Sequence, residues 1–150
     1  MMNLQKLTQN SINALNNAER ISAEYSHATI NQTHLLLALL LQVNGLIPSL
    51  LRKSNVDIDA IISDIKKALE SQPKVSGGNN QHIDTGVKAV LELAEKEAEK
   101  MGDEYISVEH LMIGLIRKAD KAIEILFSKY NITLKNFMEN LFFVGCFYFS

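Results

Sequence analysis

Residues 33–41 of the chain read THLLLALLL, and residues 109–117, 76 positions later, read EHLMIGLIR. Each stretch predicts a helix that is apolar nearly all round and is therefore buried on most sides. The same offset aligns residues 8–65 with residues 84–141 without a gap. Two copies of one pattern predict two copies of one supersecondary unit. Identical residues fall at Leu15/Leu91, Ala18/Ala94, Ile30/Ile106, His34/His110, Leu39/Leu115, Leu50/Leu126 and Lys53/Lys129, among other pairs.

Side chains that can cap a helix recur at the same places in both copies. The first copy predicts a long helix after Thr8, a buried helix over about 32–42, a short helix ending near Lys53 and a fourth after Asp57. No segment of useful length has the period of a strand. We therefore predict an all-α fold, a duplicated four-helix repeat with about eight helices in total. Its two pseudo-twofold halves pack through their second helices into one globular domain. The caps correspond as Thr8 with Asp84, Asn31 with Ser107 and Asp57 with Thr133.

The chain divides into a domain over 1–141 and a tail over 142–150. Within the domain, repeat one spans 8–65 and repeat two spans 84–141. The linker between them, 71–82, contains a proline, paired glycines and amides that leave nothing to bury. The tail is rich in phenylalanine and departs from the repeat, and its roughly ten apolar residues are half of what a membrane-spanning helix needs. It predicts a segment covered by another surface or an artificial extension, with a membrane or partner contact as the remaining alternative.

Composition bounds the function. A chain of 150 residues is long enough for one core. The net charge is −2 and the basic residues are scattered, so we expect no nucleic-acid partner, and we expect no membrane partner. Cys146 is the only cysteine and the first residues lack the apolar run of a secretory signal, so the sequence predicts a cytoplasmic protein.

The sequence offers no catalytic constellation. It contains no Gly-x-x-x-x-Gly-Lys-Ser/Thr loop for a nucleotide. His34 and His110 follow the predicted caps by three residues, where a ring nitrogen can bond within the first helical turn. Glu109-His110 lacks the second histidine of a zinc-binding helix, and His27 and His82 are predicted to lie in polar turns. We therefore predict a non-catalytic domain with no cofactor and no metal.

The helix predicted over 84–100 has one apolar position that its first-copy counterpart lacks. Leu93, which aligns with Asn17, lies to one side of the predicted core stripe. Either repeat two buries a wider face, or Leu93 is available to a client peptide. The acids and lysines from Glu92 to Lys100 predict a solvated face. The core stripe consists of Val87, Val90, Leu91, Ala94, Ala98 and Met101.

The pattern resembles the Clp N-terminal domain, the double repeat of AAA+ unfoldases of the ClpA, ClpC and ClpB group. The resemblance covers about Leu4–Leu141 and rests on an amphipathic first helix and a Gly-rich linker. It also rests on Ile-x-x-x-His-Leu-Leu-x-Ala-Leu-Leu at 30–40 and Gly-Asp-x-x-Ile-x-x-Glu-His-Leu-x-x-x-Leu at 102–115. Leu-x-x-x-Pro-x-Val-x-Gly at 69–77 is most similar to the ClpB-type disaggregase.

The resemblance implies a module that engages unfolded or aggregated polypeptides and helps deliver them to an ATPase ring. It also implies that ATP is bound by the AAA+ modules, which are not in this chain. In ClpB-type domains a polar cluster matching Thr8, Asp103 and Glu109 is linked to chaperone activity, and Leu93 completes our predicted substrate-binding set. The alternative is an adaptor-docking domain of a ClpA/ClpC-type unfoldase. We expect the isolated domain to be monomeric and the full-length family to be hexameric.

Overall fold

The computed structural model describes residues 4–76 and 81–149. Residues 77–80 of the predicted linker and Ser150 of the tail lie outside the described residues. The prediction of an all-α fold is confirmed, with eight α-helices in the described parts of the chain. Repeat one contains α1 (Gln9–Glu24), α2 (Gln32–Leu40), α3 (Leu46–Lys53) and α4 (Ile58–Ser71); repeat two contains α5 (Thr85–Lys100), α6 (Val108–Arg117), α7 (Lys121–Lys129) and α8 (Leu134–Phe149).

The predicted caps begin the helices. The side-chain oxygens of Thr8 and Asp84 accept the backbone N–H groups of Ser11 and Val87. The ring of His34 accepts the N–H of Asn31 at 2.9 Å, and the ring of His110 accepts the N–H of Ser107 at 2.9 Å, as predicted. These bonds satisfy backbone groups that a helix start leaves free.

The apolar second helices form the centre of the molecule. Every residue of α2 is buried, and α6 is buried from Val108 to Leu115 apart from the half-exposed Glu109. α2 packs on α1, α6 packs on α5, and the two central helices contact each other. Each large apolar side chain buried here contributes about 1.5–3 kcal/mol. Because α2 and α6 contact each other, the core is continuous across the two repeats.

The repeats exchange backbone hydrogen bonds through two short parallel pairings that the sequence did not predict. Strand β1 (Thr29–Ile30) pairs with β2 (His82–Ile83), and Leu7 pairs with Ile106 as an isolated bridge. Because the offset of 76 relates Ile30 to Ile106 and Leu7 to Ile83, the two pairings are pseudo-twofold mates. Each repeat thus pairs the segment before its second helix with the segment before the first helix of the other repeat.

Three sequence expectations were wrong. His27 lies in the interior, 2% exposed, rather than in a polar turn. Glu97 is buried and bonds Arg117 of α6, so this part of the charged run is not solvated. Met101 is exposed because α5 ends at Lys100 and the chain turns at Gly102, where φ is +74°. The first two errors come from tertiary contacts, and the third from a helix end one residue before the end of the stripe.

The end of α8 extends past the repeat. The helix continues from Leu141 through the tail to Phe149, and Phe142 and Phe143 are exposed. No helix among residues 4–76 and 81–149 is long and apolar enough to cross a membrane.

A chain of hydrogen bonds joins two buried histidines of repeat one. The Asn31 N–H donates to Nδ1 of His34, so the proton of this neutral ring is on Nε2. That N–H donates to Nδ1 of His27 at 2.7 Å, and Nε2–H of His27 donates to the Leu69 carbonyl at 3.0 Å. An added proton on either ring would face another donor. Burial, followed by the charge of His27, lowers the pKa of His34 to about 4, and burial is also the main cause that lowers the pKa of His27.

We predict that acid weakens the fold through His34. The pKa of His34 falls from 6.5 in the unfolded chain to about 4 in the fold. Its contribution is therefore complete above pH 6.5 and is lost between these values. The loss of stability is about 3 kcal/mol by pH 4.

Urea unfolding of wild type and His34→Gln between pH 6.5 and pH 4 measures this pH dependence. The glutamine amide can keep both hydrogen bonds without titrating, so the variant should have the flatter profile, whereas His82→Gln, at an exposed histidine, should match wild type. Parallel profiles for wild type and His34→Gln would contradict the assignment.

We also predict that Gln32 is a cross-link between the repeats. Its buried amide donates to the carbonyls of Gly86 and Lys118 at 3.0 and 2.8 Å and accepts the N–H of Asp120 at 2.8 Å. Gln32→Leu leaves three backbone groups unpaired, so the free energy of unfolding in urea should fall by about 3 kcal/mol. Gln42→Leu removes one exposed bond to Asn10 and should cost less than about 1 kcal/mol. Equal losses would refute the cross-link.

Candidate functional site

The structure brings three of the predicted site residues to one region. The bridge at Ile106 places the start of α1 beside the segment that leads into α6: Thr8 donates its N–H to the Ile106 carbonyl at 3.1 Å, and Ile106 donates to Lys6 at 2.7 Å. Asp103 and Glu109 flank Ile106 in the chain. We call Thr8, Asp103 and Glu109 the polar cluster; its role in binding stays a prediction.

The Thr8 hydroxyl is committed to the fold. Its oxygen accepts the Ser11 N–H at 3.2 Å and its proton goes to the Ser11 hydroxyl at 3.0 Å. The Ser11 hydroxyl in turn donates to the Ile106 carbonyl at 2.9 Å. Thr8 therefore caps α1 and helps to hold the two repeats together, whatever it does at the surface.

Asp103 is held by a buried histidine. Nδ1 of His110 accepts a backbone N–H, so Nε2–H donates to Asp103 Oδ2 at 2.8 Å. The His110 side chain is 1% exposed and the Asp103 side chain 48%. This bond fixes the carboxylate at the surface while leaving part of it open to a ligand.

Glu109 and Leu93 differ in their surroundings. Glu109 is half-buried in the first turn of α6, where a carboxylate is favoured by the helix dipole. Leu93 is half-buried on α5, at the position equivalent to Asn17 of α1. The pairing that gathers the polar cluster does not include it.

An open groove lies next to the polar cluster and was not predicted from the sequence. Its volume is about 790 Å³. It runs between α1, the loop that joins α2 to α3, α3 itself, the start of α6 and Phe143 of α8. It is lined by Asn10, Asn13, Asn17, Leu41, Gln42, Val43, Asn44, Gly45, Leu46, Ser49, Leu50, Lys53, Val108 and Phe143.

The groove combines exposed apolar side chains with amides. Val43 is 90% exposed and Phe143 62%, and both line it. Asn10, Asn13 and Asn17 recur at helical spacing and present their amides from one face of α1. These asparagines form an uncharged polar face on a helix that also carries Glu19 and Arg20. This run of asparagines was the one feature of the sequence that could have indicated the groove.

The groove and the polar cluster are continuous along the chain. Val108, which lines the groove, directly precedes Glu109, and Asn10 follows Thr8 by two residues. Leu93 is not among the lining residues. Over the parts of the chain that the structure describes, no group of three or more His, Cys, Asp or Glu side chains could hold a metal ion. This face combines amide hydrogen-bonding groups, apolar surface and a few charges.

A duplicated all-α domain with an open groove of this kind defines the class of helical binding domains. Comparison with known proteins is specific: the family described as "Clp repeat (R) N-terminal domain" matches residues 6–130. The chain belongs to this family.

Relatives and solved structures agree. The chaperone protein ClpB of Clostridium tetani is 34% identical over 146 residues, which is 93% of this chain and 17% of that protein. This chain therefore spans about a sixth of the length of the curated relatives it matches. The Hsp104 N-terminal domain of Candida albicans superimposes with a TM-score of 0.79 at 17% identity, over 90% of this chain and 88% of that one. A ClpV N-domain solved in complex with a VipB peptide gives 0.68 at 16% identity, over 84% and 79%; both likenesses concern the fold alone.

We predict that the carboxylate of Asp103 contributes to stability through His110. Asp103→Asn keeps an acceptor for Nε2–H and should stay within about 0.5 kcal/mol of wild type in urea unfolding. Asp103→Ala removes the acceptor of a buried donor and should cost about 1–2 kcal/mol. Glu109→Gln, on the same patch, should change stability by no more than about 0.5 kcal/mol. Equal stability of Asp103→Ala and Asp103→Asn would mean that the bond to His110 contributes nothing.

Proposed function

We propose that this chain is the N-terminal substrate-binding domain of a ClpB-type disaggregase. In this role it holds exposed segments of unfolded or aggregated polypeptides and helps to pass them to an AAA+ ring that does the ATP-dependent work. The observation that carries the proposal is the groove, an open surface of apolar and amide side chains beside the polar cluster. Similarity to ClpB chaperones supports the choice of client.

The groove suits an unfolded chain because such a chain exposes both apolar side chains and unpaired backbone groups. Its apolar side chains find apolar partners in Leu41, Val43 and Phe143. Its unpaired backbone N–H and C=O groups find both acceptors and donors in the α1 asparagines, since an amide side chain offers each. Neither kind of contact depends on a particular sequence, so binding is predicted to be multi-specific.

The groove also predicts weak binding. A volume of about 790 Å³ is that of a small-molecule pocket and admits only a short segment of chain. A flexible segment must lose conformational freedom on binding, which offsets much of the gain from a few contacts. Weak binding is what delivery requires, because a client held too tightly could not move on. The ClpV N-domain solved with a VipB peptide supports a peptide as the class of ligand for this fold.

The test compares two exposed apolar positions. Val43→Ser lies in the groove, whereas Ile125→Ser lies on α7, and neither residue is needed by the core. With a reduced and alkylated, permanently unfolded polypeptide, amide shifts in the wild-type domain should cluster along the groove. Val43→Ser should weaken binding about fivefold, because about 1 kcal/mol of apolar burial is lost, and Ile125→Ser should leave it unchanged.

Ile125 also tests the role predicted for Leu93, because both residues lie on the pseudo-twofold counterpart of the groove surface. If Ile125→Ser weakens binding and Val43→Ser does not, the client binds the Leu93 side and the groove assignment is wrong. If the domain binds no unfolded polypeptide and instead takes one tight, saturable protein partner, the adaptor-docking function of the ClpA/ClpC type replaces the proposal.

A further inference from the structure

Lys53 is the one charged residue among the described residues that line the groove. Its ammonium lies 5.3 Å from the centre of the Phe143 ring. Within the described parts of the chain it has no carboxylate within 4.0 Å, since the ion pairs there involve other residues. An exposed ammonium next to apolar surface is therefore available to an incoming group.

The counterpart of Lys53 in repeat two is paired with a carboxylate of the same chain. Lys129, at the same repeat position, also lies over an aromatic ring, 5.5 Å from the centre of Tyr130. It donates to the Asp64 carboxylate at 2.6 Å, and the Tyr130 hydroxyl donates to the same oxygen at 2.5 Å. These two hydrogen bonds, with Lys129 the larger cause, lower the pKa of Asp64. The lysine of repeat two thus has an internal carboxylate as its partner.

The surroundings of Lys53 resemble those of Lys129, except that the carboxylate is missing. The position equivalent to Asp64 is Asn140, on α8, and the position equivalent to Tyr130 is Ser54. Asn140 donates to the Ser54 hydroxyl at 2.5 Å and to the Leu50 carbonyl at 3.5 Å, so the corresponding helix contact is present. An amide stands where the other copy has a carboxylate, and Lys53 therefore lacks the internal counter-charge that Lys129 has.

The loop between α2 and α3 adds little net charge to the groove. α2 ends and α3 begins at the loop that lines it, so partial charges of opposite sign meet there and largely offset each other. The remaining lining side chains are uncharged. The lining of the groove therefore carries a single charge, the ammonium of Lys53, while the carboxylates of Asp103 and Glu109 lie beside the groove and outside its lining.

We propose that the groove prefers polypeptide segments that carry a carboxylate among apolar residues, with Lys53 as the residue that binds it and Phe143 as the apolar wall beside it. This inference rests on the proposed function and adds the chemical class of the preferred client. The carboxylate can be an Asp or Glu side chain or the end of a chain, and the geometry of Lys129 with Asp64 is its internal precedent.

The experiment measures the binding of short peptides by tryptophan fluorescence, since the chain contains no tryptophan. Three peptides share a Leu/Ser sequence with one Trp: one has a central Glu and an amidated end, one has Gln and an amidated end, and one has Gln and a free carboxylate end. The two acidic peptides should bind wild type about two- to fivefold more tightly than the neutral one, as for one partly exposed ion pair. The difference should shrink as salt is raised.

Four variants complete the test. Lys53→Gln should abolish the preference, so that the acidic peptides bind no more tightly than the neutral one, and Asn140→Asp should abolish it by supplying an internal acid like the one that Lys129 has. Phe143→Ala should weaken all three peptides alike, because it removes apolar wall. Lys96→Gln, an exposed lysine of α5 outside the groove, should behave as wild type. If only one acidic peptide is preferred, the source of the carboxylate is decided.

The failures are distinguishable. Equal binding of all three peptides to wild type, or a preference that survives Lys53→Gln, overturns the role of Lys53 and leaves the proposed function standing. Absence of binding by every peptide, with no response to Val43→Ser, overturns the proposed function and this inference together.

Discussion

The two repeats depend on backbone hydrogen bonds that neither can make alone. The Ile30 carbonyl accepts the N–H of Asp84, and the Ile106 carbonyl accepts the N–H of Thr8. Both acceptors precede a buried central helix, and both donors belong to the cap of the first helix of the other repeat. A repeat that folded by itself would leave these groups unpaired beside its core, which is costly. The domain is therefore expected to fold as one unit, and the cap residues have their places because the partner repeat supplies the acceptor.

Symmetry of the backbone did not produce symmetry of the surface. At the pseudo-twofold mate of the groove, Gln32 reaches across to Gly86 and fills the space; a Cβ on Gly86 would lie 3.2 Å from its amide nitrogen. On the groove side the equivalent positions are Val108 and Asn10, and both line an open surface. The same helices are thus cross-linked on one side and open on the other, because a buried amide on one side corresponds to a shorter apolar side chain on the other.

Local signals explain what could be predicted from the sequence, and contacts between distant residues explain the rest. The helices, their caps and the histidine bonds in the first turns of α2 and α6 depend on neighbours in the chain, and repetition doubled each signal. The fold is confirmed by the eight helices, and the family by the match over residues 6–130. A two-residue strand, by contrast, has no readable period. His27 follows the end of α1, where a turn is expected, yet its ring is enclosed by His34 and by Leu69, 42 positions away. The groove is harder still, because it results from a side chain too short to fill a space rather than from a motif.

Duplication lets the two residues of an equivalent pair take different roles in the fold. Gln32 and Val108, Asp64 and Asn140, and His27 and Asp103 each occupy equivalent positions. In each pair one residue completes a contact inside the fold: Gln32 bonds three backbone groups, Asp64 bonds Lys129, and His27 is buried against His34. The other member leaves something open, namely the groove wall at Val108, the ammonium of Lys53 and the half-exposed carboxylate of Asp103. Within each pair, one copy encloses its contact in the fold, and the other copy leaves a neighbouring group at least partly exposed.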